Sequence, residues 1–157
     1  MPDHADHMHR AIELSREKMR ANDGGPFGAV VVLDGEIIGE GWNRVTSTND
    51  PTAHAEISAI RDACARTGSF SLEGAVIYSS CEPCPMCLAA IYWARISKLY
   101  YANTSEDAAA IDFDDAFLYR EIVIDDAHRA LPSEQLMRDE AIAVFDEWRD
   151  KPDKIEY

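Results

Sequence analysis

Two short stretches of this 157-residue chain carry its chemistry. His54-Ala55-Glu56 sets an imidazole two positions before a carboxylate, and Pro83-Cys84-Pro85-Met86-Cys87 sets two thiols three positions apart. Zn²⁺ held by His54, Cys84 and Cys87 has three protein ligands, which leaves its fourth tetrahedral position for a water. The metal lowers the pKa of that water toward neutrality, and Glu56, beside the ligating histidine, can carry its protons. The chemistry expected is hydrolytic. A closed alternative adds Cys81 as a fourth ligand and makes the zinc structural. Against it, Cys84 and Cys87 share one face of a helix beginning near Pro85, and Cys81 lies outside that helix, across Pro83. A closed shell would also leave Glu56 buried beside a metal with no use for its charge.

Positioning these side chains calls for helices that start at strand ends. Met8, Ala11 with Ile12, Ser15 and Met19 recur at three-to-four spacing, which predicts a first amphipathic helix ending near Asn22-Asp23-Gly24-Gly25. Residues 27–33 read as a continuous apolar strand, Asp34-Gly35 as a hairpin turn and 36–42 as the return strand. After a polar loop over 43–50, Pro51-Thr52 opens a helix to about Thr67, with Ile57, Ile60 and Cys64 as its buried stripe and His54 and Glu56 in its first turn. Residues 75–79 are a third strand, the cysteine-rich loop leads into a helix ending at Ala94, and 98–102 are a fourth strand. Strand, crossover helix and strand imply a parallel pair, with helices packed across the faces of the sheet. The helix N-termini would turn partial positive charge onto the site and favour thiolate over thiol. Beyond Asn103, the pattern predicts a helical turn over 105–110, the start of another helix over 113–117, a last strand at 135–137 and a helix over 139–149. Ala141, Val144, Phe145 and Trp148 share one side of that helix, and 151–157 is a polar tail. The expected fold class is α/β: a three-layer α/β/α arrangement around a mixed sheet of about five strands, in one domain spanning 1–157.

The length and the 46% apolar content suit a single globular domain. No run of about 18 apolar residues occurs, and residues 1–10 are polar, unlike a signal peptide, so a cytoplasmic chain with no membrane role is expected. Three of the four cysteines fall within 81–87, which suits metal binding in a reducing compartment better than a disulfide framework. Cys64 reads as a small buried side chain. The formal net charge of −14, from 29 acidic against 15 basic residues, repels polyanions, and no Lys/Arg cluster interrupts it. A nucleic-acid substrate is therefore not expected, although the same acidity also serves solubility.

The pairing of His54-Ala55-Glu56 with Pro83-Cys84-Pro85-Met86-Cys87 resembles the H-x-E and P-C-x-x-C signature of zinc nucleobase deaminases. Nearly the whole chain resembles the cytidine-deaminase-like superfamily. Within it, Gly24-Gly25-Pro26-Phe27-Gly28-Ala29, the run from Asn49 to Glu56, Cys81 to Cys87, Ala90 to Arg95, Phe113-Asp114-Asp115 and the tail Lys154-Ile155-Glu156-Tyr157 look like the bacterial guanine deaminases. The resemblance implies a cytidine-deaminase-like fold, one Zn²⁺ per subunit, and hydrolytic deamination of guanine to xanthine and ammonia in purine catabolism, with the purine base and water as small-molecule partners. It also implies a homodimer in which the segment of about 151–157 crosses to the partner, so that Tyr157 helps close the neighbour's pocket. By composition alone such a tail simply frays.

In that reading Glu56 takes the proton of the water, passes it to a ring nitrogen and later protonates the departing amine. Asp115, or its neighbour Asp114, resembles the guanine-reading carboxylate of the family. Asn43 offers donor and acceptor atoms to a purine edge, Phe27 and Trp93 offer stacking faces, and Ala55 and Tyr157 complete the expected substrate contacts. By residue type alone Asn43 is a turn former, the two aromatics are core and the paired acids are a solvated turn. Guanosine, cytosine, an aminotriazine such as ammeline, or adenosine in a tRNA anticodon would suit the same chemistry. A zinc-stabilised binding domain that does no chemistry is the reading from another class.

Overall fold

The uninterrupted apolar run at Gly28–Leu33 forms strand β1, and both of its faces are covered. Alternation sends Ala29 and Val31 into one core with Ala59, Ala63, Ile77 and Ile91, and Val30 and Val32 into another with Leu14 and Tyr78. This is how a strand with helices on both sides must read. The architecture is seen in a computed structural model that describes residues 3–157. After the turn at Asp34 and Gly35, both at positive φ as a tight hairpin demands, strand β2 (Glu36–Trp42) pairs antiparallel with β1.

Strand β3 (Val76–Cys81) lies on the other side of β1, antiparallel to it, and strand β4 (Lys98–Asn103) runs parallel to β3. The order is β2-β1-β3-β4. Helix α1 (His4–Arg20) covers one face through Met8 and Leu14. It is tied to β2 by a two-pronged Arg10–Glu40 pair, at 2.7 and 2.9 Å. Between β2 and the next long helix the polar loop holds a short helix, α2 (Val45–Thr48). Helices α3 (Ala55–Thr67) and α4 (Pro85–Trp93) supply Ala55, Ala59, Ala63 and Ile91 to the opposite core. The expected three-layer α/β/α arrangement is therefore present.

Three expectations need correction. The sheet has four strands among the described residues rather than about five: 135–137 is unpaired, Leu136 is exposed, and Met137 turns left-handed to start the last helix. The helix expected from Pro51 begins at Ala55, with Pro51-Thr52 in a turn and His54 as its N-cap. Its buried stripe is Ala55, Ser58, Ala59 and Ala63, whereas Ile57, Ile60 and Cys64 are only half-buried. The cause is close approach to β2. A methyl group on Gly41 would stand 2.2 Å from both the Ala55 carbonyl oxygen and the Ala59 nitrogen, so only small residues fit between helix and strand.

The chain divides into two compact units, one through Tyr119 and one from Arg120 to Tyr157. The first holds the whole sheet and helix α5 (Ser105–Ala109), and helix α6 (Ala116–Val123) contains the boundary. In the second, Arg129 Nε donates to the Glu121 carbonyl oxygen at 2.9 Å and the Ala130 N–H to the Glu121 carboxylate at 2.8 Å. Helix α7 (Arg138–Asp150) follows, and Lys154 Nζ caps its end on the Arg149 carbonyl at 2.7 Å. Val144, Phe145 and Trp148 on α7 are exposed. Among the described residues no helix is long and apolar enough to cross a membrane.

Candidate active site

The register of the sheet gathers four strand ends in one place. Gly28, opening β1, pairs with Trp42 at the end of β2; Ala29 pairs with Ser79 near the end of β3; and Cys81 pairs with Asn103 at the end of β4. The residues just beyond these ends, Phe27, Asn43 and Glu82, line a cavity of about 280 Å³ together with His54, Ala55, Glu56, Cys84, Phe113 and Asp115. That volume is below the ~300–1,000 Å³ of pockets for drug-sized ligands and suits a single heteroaromatic base.

His54 is the N-cap of α3 and Cys84 the N-cap of α4, with Pro85 at the first helical position, where its missing N–H costs nothing. These candidate metal donors thus sit where free N–H groups and the positive helix ends favour thiolate. His54 Nδ1 lies 3.5 Å from Cys84 Sγ and 3.5 Å from Cys87 Sγ, and the three donor atoms all fall within 4.8 Å of one another. Tetrahedral zinc with bonds of about 2.0–2.1 Å to nitrogen and about 2.3 Å to sulfur separates N from S by about 3.5 Å, so the donor set fits the ion. Of the two thiols Cys84 ionises first: the Cys87 thiol and His54 donate to it and hold its pKa far down, while Cys87, which keeps its proton as the donor to Cys84, is pushed up.

Cys81 points elsewhere. Its thiol donates to the Thr104 carbonyl oxygen at 3.6 Å, it lies outside the cluster of metal donors, and burial pushes its pKa up to about 11. The closed four-ligand shell is not assembled among the described residues.

Glu56 is 6% exposed, and desolvation raises its carboxyl above the ordinary range, against the hydrogen bonds that lower it, including one from Ser79 Oγ at 3.1 Å. A buried carboxyl raised in this way holds a proton more readily than an exposed one, as a group that takes and returns protons must. Asn43 is fixed on three sides. Its N–H donates to the Phe27 carbonyl oxygen, its Oδ1 accepts from the Val45 N–H at 3.1 Å, and a methyl group on Gly24 would stand 2.1 Å from its carbonyl oxygen. With Oδ1 engaged, the amide NH₂ is the group it can offer to a ligand acceptor.

Of the paired acids, Asp114 is used in structure, accepting from the Ala116 N–H at 2.9 Å at the start of α6, and Asp115 faces the cavity. Burial, and then the negative charge of Cys84, raise the Asp115 carboxyl. Phe27 lines the cavity with its ring edge-on to Phe113, centroids 4.9 Å apart. Trp93 does not join them. It ends α4, nearly two turns past Cys87, and lines a separate surface depression with Ile57, Ile60 and Phe70. Tyr157 ends the second unit. Residue-type reasoning missed Phe113 and Glu82 as cavity walls, and their positions beside Asp115 and Pro83 were the available signal.

The sequence profile of the cytidine and deoxycytidylate deaminase zinc-binding region matches residues 1–103. The chain is 49% identical over 154 residues to the guanine deaminase of Bacillus subtilis (strain 168), covering 98% of this chain and 99% of that protein. The crystal structure of the Bacillus subtilis guanine deaminase superposes with a TM-score of 0.97, covering 99% of each chain. The tRNA-specific adenosine deaminase of Agrobacterium fabrum is also 49% identical, but over 87 residues, which is 55% of this chain and 57% of that protein. With the His54, Cys84 and Cys87 donors clustered and His54, Cys84 and Glu56 lining one cavity, this chain belongs to the cytidine and deoxycytidylate deaminase zinc-binding family.

Proposed function

We propose that the protein is a zinc-dependent guanine deaminase that converts guanine and water to xanthine and ammonia. The reading is carried by one convergence: a His/Cys/Cys donor set reaches, through His54 and Cys84, a base-sized cavity that a buried carboxyl, an amide and a second carboxyl also line. Similarity over the full length to a guanine deaminase, against about half the length for a tRNA deaminase, supports the choice of substrate. The net charge of −14 also works against a tRNA ligand.

His54, Cys84 and Cys87 would hold one Zn²⁺ per subunit, and the ion would supply a water activated as a nucleophile near neutral pH. Phe27, edge-on to Phe113, would give the base its stacking face, and the backbone of Ala55 would floor the cavity. The Asn43 amide would donate to an acceptor on one edge of the ring system, and Asp115 would meet N–H groups on another. Glu56 takes a proton from the attacking water and gives it to the ring nitrogen beside the amino-bearing carbon. It then takes the second proton, from the hydroxyl now on that carbon, and delivers it to the amine nitrogen as the C–O double bond forms and the C–N bond breaks, so that ammonia leaves.

We place this reaction in purine breakdown in the cytoplasm, a setting suited to four cysteines that form no disulfide. We propose further that residues 1–157 act as one deaminase domain in a homodimer, with the 151–157 segments exchanged so that Tyr157 meets the partner's cavity. The deciding experiment incubates the zinc-loaded protein with guanine, guanosine, cytosine, adenine and ammeline and measures ammonia. Release from guanine is expected; release from cytosine alone would overturn the substrate while sparing the chemistry.

A further inference from the structure

Ser79, on β3 and 2% exposed, has one hydroxyl proton and two acceptors: Glu56 Oε1 at 3.1 Å and the Cys81 carbonyl oxygen at 2.7 Å. Besides that hydroxyl, Glu56 is held by its own backbone N–H and by the Cys87 thiol. A thiol that coordinates zinc is a thiolate and has no proton to give. Metal loading therefore removes the Cys87 bond, and Ser79 remains, among the described residues, as the side-chain donor to the carboxylate.

We infer that Ser79 is a positioning residue for the proposed deamination: its hydroxyl pins Oε1 of Glu56 against β3 and so leaves Oε2 to move protons in the cavity. Ser79 does not line that cavity, so it acts through Glu56 alone. The strand is rigid at this point, since Ser79 pairs with Ala29 in the middle of the sheet. The Cys81 carbonyl gives the hydroxyl a second place to donate, so Ser79 stays satisfied through both proton transfers without being exposed to solvent. A carboxylate held in place before the reaction need not be reorganised during it, which is where a buried donor of this kind contributes.

The inference rests on the reaction proposed above, and its test separates the two. Ser79→Ala should lower kcat on guanine by about tenfold to a hundredfold with KM changed by less than about threefold, the range expected for losing one hydrogen bond to a charged group. Zinc content and the thermal transition should stay as in the parent. Ser79→Thr, which keeps the hydroxyl, should recover most of the rate. Independently of turnover, the infrared difference between the parent and Glu56→Gln isolates the Glu56 carboxyl band; that band should shift in Ser79→Ala and not in Ser79→Thr. An unchanged kcat and band in Ser79→Ala, or an equal loss in Ser79→Thr, overturns the proposal. If Ser79→Ala loses zinc or its transition, Ser79→Cys, similar in size and a poor donor, replaces it, and a full rate there overturns the proposal equally. If the parent itself releases no ammonia from guanine, the substrate reading fails and the infrared band alone decides for or against Ser79.

Discussion

A carboxyl buried as deeply as that of Glu56 is expensive to keep unless it is used. Glu56→Gln should keep zinc and the fold and lose roughly 10²–10⁴ in kcat, as removal of a general acid/base does; metal analysis beside steady-state rates checks it, and a near-normal rate would remove Glu56 from the mechanism. The three-ligand shell makes a second prediction. Cys81→Ser should retain zinc, because the Cys81 thiol is committed to the Thr104 carbonyl, whereas Cys87→Ser should lose it, since Cys87 Sγ is one of the three converging donors; zinc per chain after dialysis reads both. The His54/Cys84/Cys87 donor cluster and the acid beside it were legible because their spacing is what coordination chemistry asks for. Phe113 and Ser79 were not. A phenylalanine in a loop and a serine in a strand have ordinary structural uses, and only the folded geometry sets one against Phe27 and the other against Glu56.

At the level of elements, the Arg10–Glu40 pair joins α1 to β2 and is partly shielded, with side-chain exposures of 33% and 24%. The hydrogen bonds from Arg10, ahead of its charge, hold the Glu40 carboxyl below its ordinary value of 4.5. A depressed carboxyl contributes stability that is complete above the unfolded-state pKa and disappears as pH falls through the lower folded-state value. The urea midpoint of the parent should therefore exceed that of Glu40→Gln by a margin worth about 1 kcal/mol at neutral pH. The margin should hold down to about pH 5 and shrink below it; one that grew on acidification would contradict the pair. The strand and helix periods of the first unit were readable because each strand alternates between two cores and the turns carry Asp34-Gly35 and Gly68. Pattern failed where tertiary contact overrode it. The α3 stripe is small rather than branched because Gly41 brings the strand to the helix backbone, and 135–137, apolar enough for a strand, has no neighbour to pair with.

For the molecule as a whole, residues 1–103 carry the zinc donors and Glu56, while Phe113 and Asp115 lie beyond that shared region. On the proposed reading the chemistry and the choice of base are written in successive stretches of chain, and the proposed exchange of 151–157 would add a third from the partner. Co-expressing Glu56→Gln with a chain truncated after Asp150 tests that exchange. A mixed dimer would hold one complete site, so activity should return to at most about a quarter of the parent; no recovery would place each tail on its own subunit. The meeting of strand ends beneath the cavity has one more consequence. Beneath its floor lie backbone amides of the sheet, such as the Gly28 N–H bonded to Ser80 Oγ, and its rim includes Phe113, half exposed in the short turn that follows α5. In deuterated buffer the floor amides should exchange only on global unfolding and the rim amides by local opening, so that a base can be admitted and released while the catalytic groups keep their registration.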